Sequence, residues 1–418
     1  MSSTTDNGST DMNRFLQIHT LTSYPASLLN RDDAGFSKRM PFGGVTRTRV
    51  SSQCLKRHWR VFDGENSLKS LGPSSVRSRH TFDHLIAKVL EKEGVVKELA
   101  EAATRAVMEA VLGKSAKAKK ADAAQNADGG DAKTNDASRS GLETGQITVL
   151  GKPEVEYLAA IAREACRATS DPAKVGKVVA EKLGRDEKRN LEQLRLAAGL
   201  DAAMFGRMVT SDILARGDAA VHVAHAITVH AEASESDYFS AVDELLRDGE
   251  DEELGSGHIG SNELTSGLFY GYVVLDLPLL VSNLEGGQKW KDADRGLAAL
   301  VAERMVHMAA TVSPGAKLGS TAPYAYAHAV MVEASNAQPR TLANAFLSPV
   351  RERPDLLAAT YDALGAHVSD LDRMYGDPPA RRVAALGPSK ELIERVRAPG
   401  NDSLAGLAKW AGSIVTGD

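Results

Sequence analysis

Arg31, Lys38, Arg39, Arg47, Arg49, Lys56, Arg57 and Arg60 fall between positions 31 and 60, opposed there only by Asp32 and Asp33. Side chains of this kind hold phosphate groups, lysine as a point charge and arginine through paired N–H donors. Most basic runs are simply solvated surface. Spacing favours more than that. Val45–Val50 (VTRTRV) alternates like a strand, and Ser51 and Ser52 follow as N-cap candidates for a helix running to about Phe62. On that helix Leu55 and Trp59, four apart, face a core, while Gln53, Lys56, Arg57 and Arg60 share another side. A serine-capped helix start adds backbone N–H groups and a positive dipole end, which suit a phosphate. The pattern describes a clamp for a polyanion backbone. Periodicity does not say which polymer.

Other residues could do different chemistry. His222, His225 and His230 have a spacing that resembles a metal site, but on a strand positions three apart face opposite sides, so a structural role, or one beside the bound polyanion, is expected. Cys54 sits beside the helix cap and reads as a small buried hydrophobe rather than a nucleophile. Asp32 and Asp33 are paired carboxylates able to hold a hard divalent cation, or to orient Arg31 or a neighbouring subunit's lysines. Met208 taken alone is a core residue. No GxxxxGK phosphate loop occurs, so ATP use has no support, and neither a cofactor nor a metal is expected.

These residues need elements to position them. The chain has 418 residues, 43% hydrophobic and 25% charged, enough for two or three compact units with a real core. Its net charge of −5 is unlike that of a nucleic-acid-binding domain, but the average hides the basic segment. Two cysteines, no apolar run long enough to span a bilayer and no signal core predict a cytoplasmic protein without membrane attachment. Arg14–Leu21 reads as a first strand and Thr22–Gly44 as a long loop. From Asp63 to Phe205 the pattern is mostly helical. Lys114–Gly141 contains no Leu, Ile, Val, Met or aromatic residue and reads as a disordered insertion. Ala224–Ala231 and Leu268–Leu277 read as strands, Asp237–Arg247 between them as a short amphipathic helix, and an acidic glycine-rich stretch follows that helix. Leu297 to Val312 has helical spacing, and Ala325–Val332 reads as a closing strand. Strand, helix, strand, strand, helix, strand is the ferredoxin-like order, split by two large insertions: an α+β fold.

LNRDDAGFSKRMPFGGVTRTRVSSQCLKRHWR resembles the opening of the CasC family, the backbone subunit of the type I-E CRISPR Cascade complex. FGRMVTSD at 205–212, VAHAITVHAEASESDYFSAVDEL at 223–245 and HIGSNELTSGLFYGY at 258–272 resemble the same family in the same order. The resemblance implies an RNA-recognition-motif-like palm with a large helical fingers insertion and a hairpin-like thumb insertion. The expected division is a tail over 1–11, palm over 12–62, 206–227 and 267–418, fingers over 63–205 and thumb over 228–266. It further implies an RNA-binding subunit, not an enzyme, that stacks head to tail along the spacer of a CRISPR guide RNA. Each thumb would press one nucleotide out of the stack and leave the others to pair with target DNA. The 5′-end cap, guide-processing, large and small subunits would be further partners, with a nuclease-helicase recruited indirectly. Arg31, Lys38, Ser51, Ser52, Gln53, Lys56, Arg57 and Arg60 match the family's RNA-contacting loop and helix, with Arg47 and Arg49 on the strand between. Gly206, Arg207 and Met208 match a loop whose methionine lies beside the displaced base. The residues before Met12, the 114–141 insertion and the acidic run 248–253 depart from the family pattern.

A filament that accepts any spacer must hold phosphates and sugars and leave sequence to base pairing. The palm fits this, because it lacks the aromatic octapeptide with which ordinary RNA-recognition motifs stack bases; Phe15 and His19 alone share a face of the first strand. The other function class is a metal-dependent RNA endonuclease of the related type III backbone kind, using Asp32 and Asp33.

Overall fold

The structure is a computed structural model describing residues 12–112, 141–184, 196, 198–207, 217–242, 256–286, 289–352, 354–376 and 378–417, without the side chains of 239–242 and 256–259. The expected N-terminal tail, nearly all of the 114–141 insertion, Met208 and the acidic run 248–253 lie outside the described residues. The chain is α+β and divides into two compact units. The first contains the residues up to Ser67, Val221–Leu277 and those from Ala298 onward; the second contains Leu68–Ala220 and Pro278–Leu297.

The first unit is built on an antiparallel sheet. Its strands are β1 (Phe15–Ser27), β2 (Arg39–Phe42), β3 (Val45–Val50), β6 (Val221–Val223), β7 (Ala226–Thr228), β8 (Ala233–Val242), β9 (Ser256–Asp276), β10 (Ala329–Ser335) and β11 (Ala380–Ala385). The spatial order is β11-β10-β1-β9-β7-β3-β2, with β6 and β8 also paired to β9. Within it β1, β7, β9 and β10 lie in the order fourth, first, third, second. Helix α1 (Ser52–Val61) follows β3, and a second long helix (Gly296–Thr311) precedes β10.

Both faces of β1 are covered, which is why seven consecutive residues from Leu16 to Thr22 are buried. Leu55 and Trp59 of α1, with Ala309 and Val312 of the later helical stretch, line a small cavity against Thr20, Thr22, Phe269 and Val273 of the sheet. On the opposite face Leu21, Tyr270, Met331 and Val383 pack with Tyr361, Leu364 and Val368 of a third helix (Leu356–Tyr375) and with Leu392 beyond it. That face also buries an ion network. Arg381 donates to Glu333 at 2.8 Å and to Asp372 at 2.9 Å. Each large apolar side chain buried in this way stabilises the fold by about 1.5–3 kcal/mol.

The structure changes several sequence expectations. Strand β1 runs on to Ser27 and β2 occupies 39–42, so the loop predicted over 22–44 shrinks to the turn between them. Of the strand expected at 224–231 only Ala226–Thr228 (β7) is strand, with the short β6 just before it, and the closing strand lies three to four residues later than expected. The helix expected at 237–247 is absent where described: Ala233–Val242 is β8, paired with β9 from Ala233↔Ser266 to Val242↔Ser256. Ladder hydrogen bonds to β9 outweigh the weak local periodicity that favoured a helix. Strand β11, not expected, closes the far edge.

The second unit is mainly helical. Leu99, Ala103, Val107 and Val111 recur every four residues along Lys97–Leu112 and pack on Val155, Leu158, Ala162 and Ala165 of Lys152–Ala168. A two-stranded sheet the helical pattern did not reveal joins β4 (Ser75–Ser78) to β5 (Thr148–Gly151). Among the described residues no helix is long and apolar enough to cross a membrane.

Candidate nucleic-acid interface

Asn30 assembles the basic surface of the first unit. Its carbonyl accepts from the Lys38 N–H at 2.8 Å, and its side-chain oxygen accepts from the Ser51 N–H at 2.9 Å. One residue thereby fastens the 31–38 loop to the start of α1. The loop is a closed turn. Asp32 N–H donates to the Phe36 carbonyl at 2.8 Å, and the Phe36 N–H returns a bond to Asp32 Oδ1 at 2.9 Å. Ser51 caps α1, its hydroxyl accepting from the Cys54 N–H at 3.3 Å. By helix geometry the N–H groups of Ser52 and Gln53 lack intrahelical partners, and no acidic side chain lies in the first turn.

Arg31, Gln53 and Arg57 are exposed, and Lys38, Arg49, Ser52, Lys56 and Arg60 are partly so. Arg49 joins this surface from β3: its N–H donates to the Lys38 carbonyl at 2.8 Å, and its guanidinium meets His225 Nδ1 at 3.0 Å. Burial lowers the His225 pKa, and the charges of Arg49 and Lys38 lower it further. His225 therefore accepts from Arg49 as a neutral ring. Sequence reasoning did not place Asn30 here, and for His225 it left a structural and an RNA-adjacent role both open. The signal for Asn30 was an amide side chain directly before a turn-forming Arg-Asp-Asp.

Arg39 is basic but neutralised, because its guanidinium pairs with Glu232 and Glu263 at the root of the β8–β9 hairpin. Glu263 also accepts from the Ser37 N–H at 2.8 Å. Cys54 contacts the Leu29 carbonyl at 3.9 Å, and burial raises its thiol pKa while Arg57 and Lys38 oppose that rise. This is not the setting of an activated nucleophile.

Two residues expected to touch RNA are placed elsewhere. Arg47 is 0% exposed, and its guanidinium donates to the carbonyls of Phe42 (3.1 Å), Thr228 (3.1 Å) and Phe346 (2.7 Å). It holds the β2–β3 hairpin on the sheet and has no surface to offer a phosphate. The hairpin turn above it uses Gly43 and Gly44 at φ +64° and +82°, as a tight two-residue turn requires. A Cβ on Gly43 would lie 1.7 Å from the Leu347 carbonyl oxygen. R47A strands buried carbonyls and is expected to cost about 3 kcal/mol or more, read as a lower denaturation midpoint.

Arg207 is the second. It belongs to the other unit, with its side chain 1% exposed, and pairs with Glu154 at 2.6 and 2.8 Å. Glu154 in turn caps its helix by accepting from the Gly151 N–H at 2.9 Å. Arg207 is committed to protein.

Nor does His19 serve as an aromatic platform. His19 is 2% exposed and stacks on Tyr272 at 4.9 Å within the packed face. Of the three histidines considered as ligands, His222 and His225 are exposed, and His230 is buried, accepting from the Leu268 N–H at 3.1 Å. Among the described residues no group of three or more His, Cys, Asp or Glu side chains could hold a metal ion.

The model of the CT1975-like protein family matches residues 16–410. A solved chain described as "CRISPR RNA-guided surveillance complex, pre-nicking" is similar at 25% identity and a TM-score of 0.76, covering 96% of this chain and 100% of its own. A second, described as "CRISPR RNA-guided surveillance complex", is similar in fold at 24% identity and a TM-score of 0.68, covering 97% and 100%. No curated protein matches.

Proposed function

This chain belongs to the CT1975-like protein family, and from that premise we propose that it is the RNA-binding backbone subunit of a Cascade-type CRISPR surveillance complex of type I-E. The observation that carries the reading is its end-to-end similarity to a chain of a CRISPR RNA-guided surveillance complex. In this reading copies of the chain stack head to tail along the spacer of a guide RNA. Its partners are that RNA, the target DNA paired to it and the other subunits of the complex.

The surface built by Asn30 suits this role. Arg31, Lys38, Arg49, Lys56, Arg57 and Arg60 grip phosphates together with the start of α1, a contact that carries no sequence information. The palm reading is supported by the strand order β10-β1-β9-β7, the antiparallel arrangement of a ferredoxin-like sheet. The protein purified from cells expressing a guide RNA is expected to carry RNA, seen as a raised absorbance ratio and spacer sequences on sequencing. A nucleic-acid-free protein that binds no guide RNA when it is supplied would end this reading.

We propose a non-catalytic role. Asp32 already serves as the acceptor that closes the 32–36 turn, and two neighbouring carboxylates supply fewer oxygens than a hard divalent ion needs. D32N/D33N keeps an acceptor at 32, so target recognition is expected to stay within about twofold of wild type. The wild-type assembly is expected to cut neither guide nor target strand in magnesium or manganese. Regularly spaced cuts that disappear in D32N/D33N would make the protein a nuclease.

A further inference from the structure

Tyr324 and Tyr326 are 73% and 72% exposed, yet the segment carrying them is tied down. The Ser313 hydroxyl accepts from the Ala325 N–H and donates to the Ala325 carbonyl, both at 3.0 Å. Gly315 N–H donates to His58 Nε2 of α1 at 3.3 Å, and Ala316 N–H donates to the Leu28 carbonyl at 2.9 Å. Ala327 and His328 donate to Ala310 and Leu21 at 2.8 and 2.7 Å, and the Lys317 ammonium meets the Asn262 side chain of β9.

Exposure alternates along this stretch. Pro323 is buried, Tyr324 exposed, Ala325 partly buried against the cluster of Tyr24, Val50 and Phe269, and Tyr326 exposed. The Tyr324 N–H closes a tight turn on the Ala322 carbonyl at 2.7 Å, and from Tyr324 onward the alternation is that of extended chain, in which residues two apart leave the same side about 6.6 Å apart. Stacked bases repeat at about 3.4 Å, so two rings at that separation leave room for one base between them. Single exposed apolar residues need no explanation. Two aromatic side chains held in step on a fastened backbone are a different case, because little conformational freedom is left to lose on stacking.

We propose that Tyr324 and Tyr326 form a stacking platform for an unpaired nucleobase of the RNA strand whose phosphates the β3–α1 surface holds. The inference rests on the RNA-binding reading and adds a second mode of contact to it. Charge complementarity selects this occupant: His58 links the segment to the helix bearing Lys56, Arg57 and Arg60, and Lys317 lies within the segment. Stacking of this kind is indifferent to base identity, as a subunit that accepts any spacer requires.

The test uses RNA-free full-length protein and two unrelated single-stranded RNA oligonucleotides carrying 2-aminopurine. Anisotropy gives affinity, and fluorescence quenching reports stacking. Y324A/Y326A is expected to bind both RNAs about 5- to 100-fold more weakly, with less quenching. The slope of log affinity against log salt should not change, since no phosphate contact is lost. Y324F/Y326F should restore both readouts, and the single variants Y324S and Y326S, each with an unchanged melting temperature, should fall between. Wild-type binding and quenching in Y324A/Y326A would overturn the inference while leaving the RNA-binding reading intact. So would a loss that follows self-association by light scattering and that phenylalanine does not repair, which would make the pair a protein contact. Failure of the wild type to bind either RNA would remove the reading and the inference together.

Discussion

K56A/R57A/R60A is expected to bind single-stranded RNA about 100-fold more weakly than wild type, and by the same factor for unrelated spacers. Arg57 is exposed and Lys56 and Arg60 are partly so, one turn or more beyond the Ser51 cap. Each charged hydrogen bond to phosphate is worth about 1.5–3 kcal/mol before solvent screening, so losing three leaves a large deficit even after a generous discount. Each lost contact also takes about 0.7 from the log–log salt slope on single strands, about 2 for the three. The measurement is a salt titration on two spacers of different sequence. A spacer-dependent loss would mean base readout, and the phosphate-clamp account of α1 would fail. Trp59, the buried residue of the helix, is untouched by these changes, and a melting curve of each variant separates a loss of contact from a loss of fold.

R207A is expected to damage the fold rather than the RNA contact. The ion pair it breaks is almost fully buried, and removing one partner leaves the Glu154 carboxylate without its counter-charge. Such losses cost about 3–5 kcal/mol, which for a unit of this size lowers its unfolding midpoint by about 10 °C. Because Glu154 also accepts from the Gly151 N–H, E154A should be as damaging. Replacing both residues by methionine removes the two charges together and is expected to recover much of the loss. Calorimetry, with RNA affinity measured per folded molecule, separates the two roles. A stable R207A protein with weakened RNA binding would return Arg207 to the interface.

Much of this was legible in the chain because its causes are local. Ser51 caps the helix that begins after it since a hydroxyl three residues before a free N–H reaches it whatever the rest of the protein does. The alternation of 45–50 marks a strand for the same reason, whereas the hairpin turn at Gly43–Gly44 was hidden in a longer expected loop because β2 shows only once it pairs with β3. The four-residue spacing of Leu99, Ala103, Val107 and Val111 can only bury one side of a helix. Charge patterning likewise located the basic segment.

What each basic residue does is not a local property. Arg47 and Arg49 stand two apart on one strand and look equivalent in sequence. Arg49 reaches the surface at His225, whereas two of the three carbonyls that Arg47 meets, those of Thr228 and Phe346, lie 181 and 299 positions away. Those carbonyls come together only when β3, β7 and the 343–346 turn assemble. Arg39 is cancelled by Glu232 and Glu263 through pairing across the hairpin root, again from far along the chain. The segment 237–242 had apolar residues at near-helical spacing and became a strand because β9 supplied a partner for its backbone. Sequence determined which segments fold and where the positive charge lies. Which charges remain available to a ligand was decided by tertiary structure, since a guanidinium is spent as soon as folding brings carbonyls or carboxylates to it.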